Sequence, residues 1–222
     1  MKNIVVLTLF LLGQISFSQA SRNLGDFNKV KVFDRLNVEL ISSTENKIVI
    51  SGDRANEVEV VNNNGELKIR MPLPKLLSGN DVKIKLYYKK LEFIDASEGS
   101  IISSEETLKQ NSIDLNAKEG SNISLVLDVE KANVRSVSGG IIELAGKASN
   151  QKVTIGSGGI VTAEKLKTSQ TTVSITAGGE AEIYATLLVD AKVSSGGSVY
   201  IYGKPKEIKQ KTIIGGTIVE KE

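Results

Sequence analysis

A chain of 222 residues, 40% hydrophobic and 24% charged, has the length for one solenoid or two small domains and the apolar content for a real core. Its formal net charge of +2 leaves no concentrated basic character, which argues against nucleic acid as a partner. Without cysteine or histidine it has no disulfide, no N-terminal lipid-anchoring cysteine, no thiol nucleophile and no imidazole acid–base group, and it loses most zinc sites.

Residues 1–20 read as a secretory signal peptide. Lys2 supplies the positive start, Ile4 to Leu12 the short apolar run, and Ser18-Gln19-Ala20 the small-x-small cleavage site. That run is shorter than the roughly 20 residues a bilayer span needs, so a cleaved export signal is expected. Cleavage removes one lysine and no acid, taking the charge from +2 to +1. The expected location is the periplasm, the outer-membrane surface or the medium. No second apolar segment predicts direct membrane insertion.

From Ser21 to Leu91 apolar and polar residues alternate, the pattern of strands with one buried face. The runs are Val30–Val32, Leu36–Ile41, Lys47–Ser51, Val58–Val60, Leu67–Ile69 and Val82–Tyr88. Asn62-Asn63-Asn64-Gly65 is a hairpin signal, because Asn and Gly tolerate positive φ, and it predicts pairing of Val58–Val61 with Leu67–Met71. This region is expected to be a β-rich cap continuous with the C-terminal repeats.

Residues 92–222 carry a repeat. Glycine pairs stand at 139–140, 158–159, 178–179, 196–197 and 215–216, so the second glycines Gly140, Gly159, Gly179, Gly197 and Gly216 recur every 18 to 20 residues. The beat continues upstream, more weakly, at Gly120 and Gly99. With the second glycine as position zero, apolar residues fall at +2 (Ile142, Val161, Ala181, Val199, Ile218) and +4 (Leu144, Ala163, Ile183, Ile201). They also fall at −4 (Ile155, Ile175, Val193) and −6 (Val153, Val173, Ala191). Even offsets inward on both sides of a bend mean a strand, a corner and a second strand. Leu166, Leu187-Leu188 and Ile208 are expected to form a third side. Strands this short must bond to the coil above and below, which predicts a parallel β-helix, preceded by the β-rich capping region.

The corner glycines are expected to serve positive φ and close coil stacking. Ser138, Ser157, Ala177 and Ser195, two before position zero, are expected at a tight inner corner with stacked hydroxyls. With no base available, these serines are structural rather than nucleophiles. Glu98 and Glu119 replace the pair's first residue upstream and are expected one above the other, near the inter-strand spacing of roughly 5 Å.

The repeated Ser-Gly-Gly or Ser-x-Gly-Ser followed by apolar residues, after an N-terminal strand region and an export signal, resembles the auto-transporter adhesin head GIN domain family of secreted Bacteroidetes proteins. The likeness spans about Phe27 to Gly216. It implies a right-handed parallel β-helix at the cell surface or in the periplasm, and no catalytic residues. Where many relatives have Ser-Gly-Ala or Ser-Gly-Ser, this chain mostly has Gly-Gly.

Parallel β-helices also host polysaccharide chemistry. A lyase wants a cationic base beside clustered carboxylates. The solenoid has one arginine, Arg135, and Asp95, Asp114, Asp128 and Asp190 fall at different offsets. A glycosidase wants two facing carboxylates. Glu143 and Glu182 share offset +3, two coils apart, with Thr162 between them. No cofactor and no metal is expected.

The outward offsets give the better lead. Tyr184 and Tyr202 share +5 in adjacent coils, and Tyr200 at +3 lies beside Glu182. Such a row suits a platform for sugar rings, a cross-strand packing pair or a protein interface. At −5 stand Arg135, Lys192 and Lys211, a loose basic stripe. Three functions stay open: a non-catalytic adhesin binding polysaccharide or a surface protein, a polysaccharide-active enzyme, and a structural or self-associating envelope module.

Overall fold

The structure is a computed structural model that describes residues 20–222, so the expected export signal lies outside the described residues except for Ala20. The chain forms seventeen strands among the described residues. The first eight are β1 (Ala20–Asn23), β2 (Lys29–Val32), β3 (Asn37–Ser42), β4 (Lys47–Ser51), β5 (Glu59–Asn63), β6 (Glu66–Arg70), β7 (Lys83–Tyr88) and β8 (Phe93–Ala96). Four long strands come next: β9 (Ile101–Lys118), β10 (Asn122–Val137), β11 (Ile141–Gly156) and β12 (Ile160–Ile175). The last five are β13 (Glu180–Tyr184), β14 (Leu188–Ser195), β15 (Ser198–Tyr202), β16 (Glu207–Ile214) and β17 (Thr217–Glu220).

Each of β9 to β12 is nearly a whole coil. Its beginning, middle and end lie on three sides of a parallel β-helix, as its in-register partners on the neighbouring coils require. The sheet after the corner runs β1–β4–β7–β3, then the first parts of β9 to β12, then β13, β15 and β17. The sheet before the corner runs β5–β6–β2–β8, then the last parts of β9 to β12, then β14 and β16. Every pairing is parallel except β1–β4, β4–β7 and β5–β6.

The N-terminal region is therefore built of the same layers as the solenoid, laid down out of order. The chain begins in the third layer with β2 and β3, moves to the end of the stack with β4 and β5, returns through β6 and β7 in the second layer, and resumes at β8. The end layer runs antiparallel to the coils, and β1 covers the outer edge of β4, so that edge is not left open. The expected hairpin is present: Asn64 (φ 50°) and Gly65 (φ 83°) link β5 to β6 with Asn63 opposite Glu66.

A ladder of backbone bonds fixes eight stacked corners. Arg35 N–H donates to the Glu98 carbonyl at 3.0 Å, Gly99 to Glu119 at 3.0 Å, Gly120 to Ser138 at 3.2 Å and Gly139 to Ser157 at 3.2 Å. Gly158 donates to Ala177 at 3.3 Å, Gly178 to Ser195 at 2.9 Å and Gly196 to Ile214 at 3.0 Å. Asp34-Arg35, both at φ 60°, is thus the first corner, although it contains no glycine. The Asp34 carboxylate is buried and accepts from Met71 N–H at 2.9 Å and Leu77 N–H at 3.1 Å, which ties the β6–β7 connection to this corner.

Three expectations are corrected. Position zero in the early coils is Ser100 and Ser121, not Gly99 and Gly120, since Ser121 precedes Asn122, which pairs with Ile141. These two buried hydroxyls do the inner-corner work: Ser100 Oγ donates to the Val32 carbonyl and Ser121 Oγ to the Ala96 carbonyl, while each accepts an amide of its own turn. The column Ser138, Ser157, Ala177, Ser195 is solvent-exposed instead, because left-handed φ at Ser138 and Ser157 turns it outward. Of the third-side set, only Leu166 lies in the expected wall, stacked with Leu127 through Gly146. Leu188 pairs with Gln170, Ile208 pairs with Val189 before the corner, and Leu187 is exposed, because in the last two coils residues 185–187 and 203–206 leave the strand conformation where the third side would run.

Candidate functional site

The sheet after the corner carries the outward tyrosines. Parallel register sets Tyr184 opposite Tyr202 and Glu182 opposite Tyr200, on β13 and β15. The same column places Glu143, Thr162 and Glu182 in line, so the two glutamates are separated by one full coil. All four candidate residues, Tyr184, Tyr200, Tyr202 and Glu182, are half-buried, as expected of side chains standing on a flat sheet.

Two rings carry a cation. Lys167 Nζ sits 3.9 Å from the Tyr184 ring centre and Lys221 Nζ 4.8 Å from that of Tyr200. Tyr184 also packs on backbone: a Cβ added at Gly203 would lie 2.7 Å from its Cζ, so the ring occupies the space a side chain there would fill. Among the described residues Tyr202 has no cation over its ring.

The patch is acidic around these phenols. Burial raises the Glu182 carboxyl pKa, Glu164 and Glu180 raise it further, and Lys221 opposes them. Burial likewise raises the Tyr202 phenol, with Glu182 and Glu164 adding to the shift, so it remains an O–H donor. Beside the tyrosines the sheet is bent by register shifts between Ser124 and Val126 and between Glu143 and Ala145. These open a shallow groove of about 390 Å³ lined by Ser104, Ser124, Glu143, Thr162, Glu164 and Lys165, among others. The alternating pattern carried no sign of these bulges.

The residues weighed for polysaccharide cleavage do not converge. Arg135 pairs with Asn116 and Thr154 on the sheet before the corner, away from Glu143 and Glu182. Asp95 is buried and engaged by Ser97 Oγ at 2.8 Å and Asn116 Nδ2 at 2.7 Å. Among the described residues no group of three or more acidic side chains is placed to hold a metal ion. No helix among them is long and apolar enough to cross a membrane. The expected corner acids do stack, since Gly99 bonds to the Glu119 carbonyl, and Asp34 continues their column.

Solved structures share the fold. A crystal structure described as a putative adhesin from Bacteroides fragilis aligns with a TM-score of 0.86 at 21% identity, covering 94% of this chain and 98% of that chain. One described as a putative adhesin from Parabacteroides distasonis gives 0.72 at 20% identity over 92% and 97%. Another from the same species, described as a putative lipid binding protein, gives 0.69 at 17% over 92% and 96%. No curated protein matches the sequence. The profile described as "Putative auto-transporter adhesin, head GIN domain" matches residues 26–205, from ahead of β2 to just past β15, and the chain belongs to that family.

Proposed function

We propose that this is a non-catalytic, exported protein of the bacterial envelope that binds a neutral glycan on the sheet after the corner. The observation carrying this reading is the register of Tyr184 with Tyr202 and of Glu182 with Tyr200, which gathers phenol donors, aromatic rings and carboxylate acceptors on one rigid face. On strands about 4.8 Å apart, the Tyr202 ring, which carries no cation among the described residues, offers a face to a pyranose ring, and phenols beside carboxylates match the mixed donors and acceptors of sugar hydroxyls. The surrounding Glu164, Glu180 and Glu182 favour a neutral ligand over an anionic one. Tyr202 is the centre of the platform, beside Tyr184 and Tyr200, whose rings carry Lys167 and Lys221.

The test is retention of the purified chain on a panel of immobilised neutral polysaccharides, scored also for released product. Retention without product, weakened about tenfold or more in Tyr184→Ala/Tyr202→Ala, is the expected result. Product release would replace the reading with an enzyme. Retention undiminished in the variant, or none at all, would return the tyrosines to sheet packing, worth about 1 kcal/mol or less per pair.

A further inference from the structure

We propose that the opposite sheet, before the corner, holds a second and separate site that takes a carboxylate-bearing polysaccharide. In that sheet β9, β10 and β11 form a shallow groove of about 480 Å³. Lys131, Arg135 and Lys152 converge on it from two adjacent coils, together with Asn116, Asn133 and Thr154. Register sets Arg135 between Asn116 and Thr154, and Asn133 between Asp114 and Lys152. Cations and planar amides therefore alternate across the groove floor.

Its charge is available to a ligand. Lysines of the N-terminal layers are largely neutralised in place, as Lys31 is by Glu66 at 2.9 Å and Lys89 by Asp26 at 3.2 Å. Among the described residues Lys131, Arg135 and Lys152 make no ion pair, and all three are exposed. Of the nearby acids, Asp114 lines the groove and keeps its charge although Asn133 Nδ2 donates to it at 2.6 Å, so three cations face one carboxylate, and Asp95 is held by Asn116 and by Lys118 at 3.6 Å. These bonds also orient the amides.

The line of the groove extends along the solenoid. From Arg135 the column runs through Thr154 and Ser174 to Lys192 and Lys211, in register throughout. At about 4.8 Å per coil, Asn116 to Lys211 spans about 24 Å, the reach of several sugar residues lying along the axis. A peptide is the poorer occupant, because these strands are paired on both sides and offer no edge for strand addition. Along the coils Glu143, Glu180 and Glu182 lie on the tyrosine sheet, while Arg135, Lys152, Lys192 and Lys211 lie on the sheet before the corner and outnumber Asp114 and Asp190 there.

The site stands independently of the tyrosine reading, and one titration separates the two. Polygalacturonate, dextran and poly-L-glutamate are each titrated into the full exported chain, into Arg135→Gln/Lys152→Gln and into Tyr184→Ala/Tyr202→Ala. Polygalacturonate is expected to bind the wild type, to weaken about tenfold or more in the glutamine variant at an unchanged melting temperature, and to weaken with added salt. It should bind the tyrosine variant as before. Lys192→Gln/Lys211→Gln, far along the column, should give a smaller loss and guards against a local folding defect in the first variant. No polygalacturonate binding, binding indifferent to both cation variants, or poly-L-glutamate bound equally well would overturn the proposal.

Discussion

Gly158 and Gly159 are glycines for opposite reasons. Gly158 has φ +74° and open space around its missing Cβ, so any residue that tolerates the left-handed region fits. At Gly159 no positive φ is involved, but an added Cβ would lie 2.3 Å from the Ser136 carbonyl oxygen of the adjoining coil. Gly159→Val should therefore cost about 3 kcal/mol or more by overpacking against backbone that cannot move alone. Gly158→Asn should cost less than about 1 kcal/mol. Denaturant unfolding of the two variants checks this, and equal losses would refute the division of labour within the pair. The acidic corner makes a prediction of a different kind. Burial raises the Glu98 pKa, and the neighbouring Asp34 and Glu119 raise it further. A carboxyl whose folded pKa lies above its unfolded value weakens the fold when ionised, and that penalty disappears as pH falls and the group protonates in both states. Glu98→Gln should thus melt higher than wild type near neutral pH and together with it below the ordinary glutamate range. A gain that persisted in acid would point to packing instead of charge.

Strand alternation was legible because a buried face imposes a period of two, and the even offsets from Val153 to Ile201 are buried. The Asn64-Gly65 hairpin was legible because its chemistry is local. What the pattern does not encode is which edge a strand pairs with. The nesting of β2 between β6 and β8 is a long-range choice, and its strands read the same in any order. Asp34-Arg35 reads as a turn between strand runs, but that this turn is a coil corner is again a long-range matter: two non-glycine residues sit at φ 60°, and the Asp34 carboxylate accepts from Met71 and Leu77 far along the chain. The site divides the same way. Equal offsets placed Tyr184 beside Tyr202 and Glu182 beside Tyr200. The cations over the rings come from elsewhere, Lys167 from the third side and Lys221 from beyond β17, where no shared offset links them to the tyrosines. The basic groove was half visible, since Arg135 belongs to the column at −5, whereas Lys131 and Lys152 enter it from other columns.

The first and last layers of the described stack differ in their chemistry. At the N-terminal end the strand direction changes: the antiparallel β4 and β5 lie on the coils and β1 on β4, with β1 and β5 left with one partner each. At the C-terminal coil β16 and β17 each have one partner, and the side chains change character instead. Positions that are Ala191, Val193 and Ile201 in the preceding coil become Gln210, Thr212 and Glu220, all exposed. A second solenoid laid against this coil would have to desolvate those polar groups in its core, at about 1–3 kcal/mol each when unpaired, while the apolar core side chains it would meet are the half-buried Ile208 and Ile218, the exposed Ile213, Ile214 and Val219 standing outside the core. Edge strands carrying such groups resist end-to-end growth even though their backbone bonds are free. Restoring the apolar pattern with Gln210→Val, Thr212→Val and Glu220→Val should remove that resistance. The triple variant is expected to show a sedimentation-average mass that rises with concentration above that of wild type. An unchanged mass would mean that shape or twist at this coil, rather than its polarity, is what keeps a further layer from stacking.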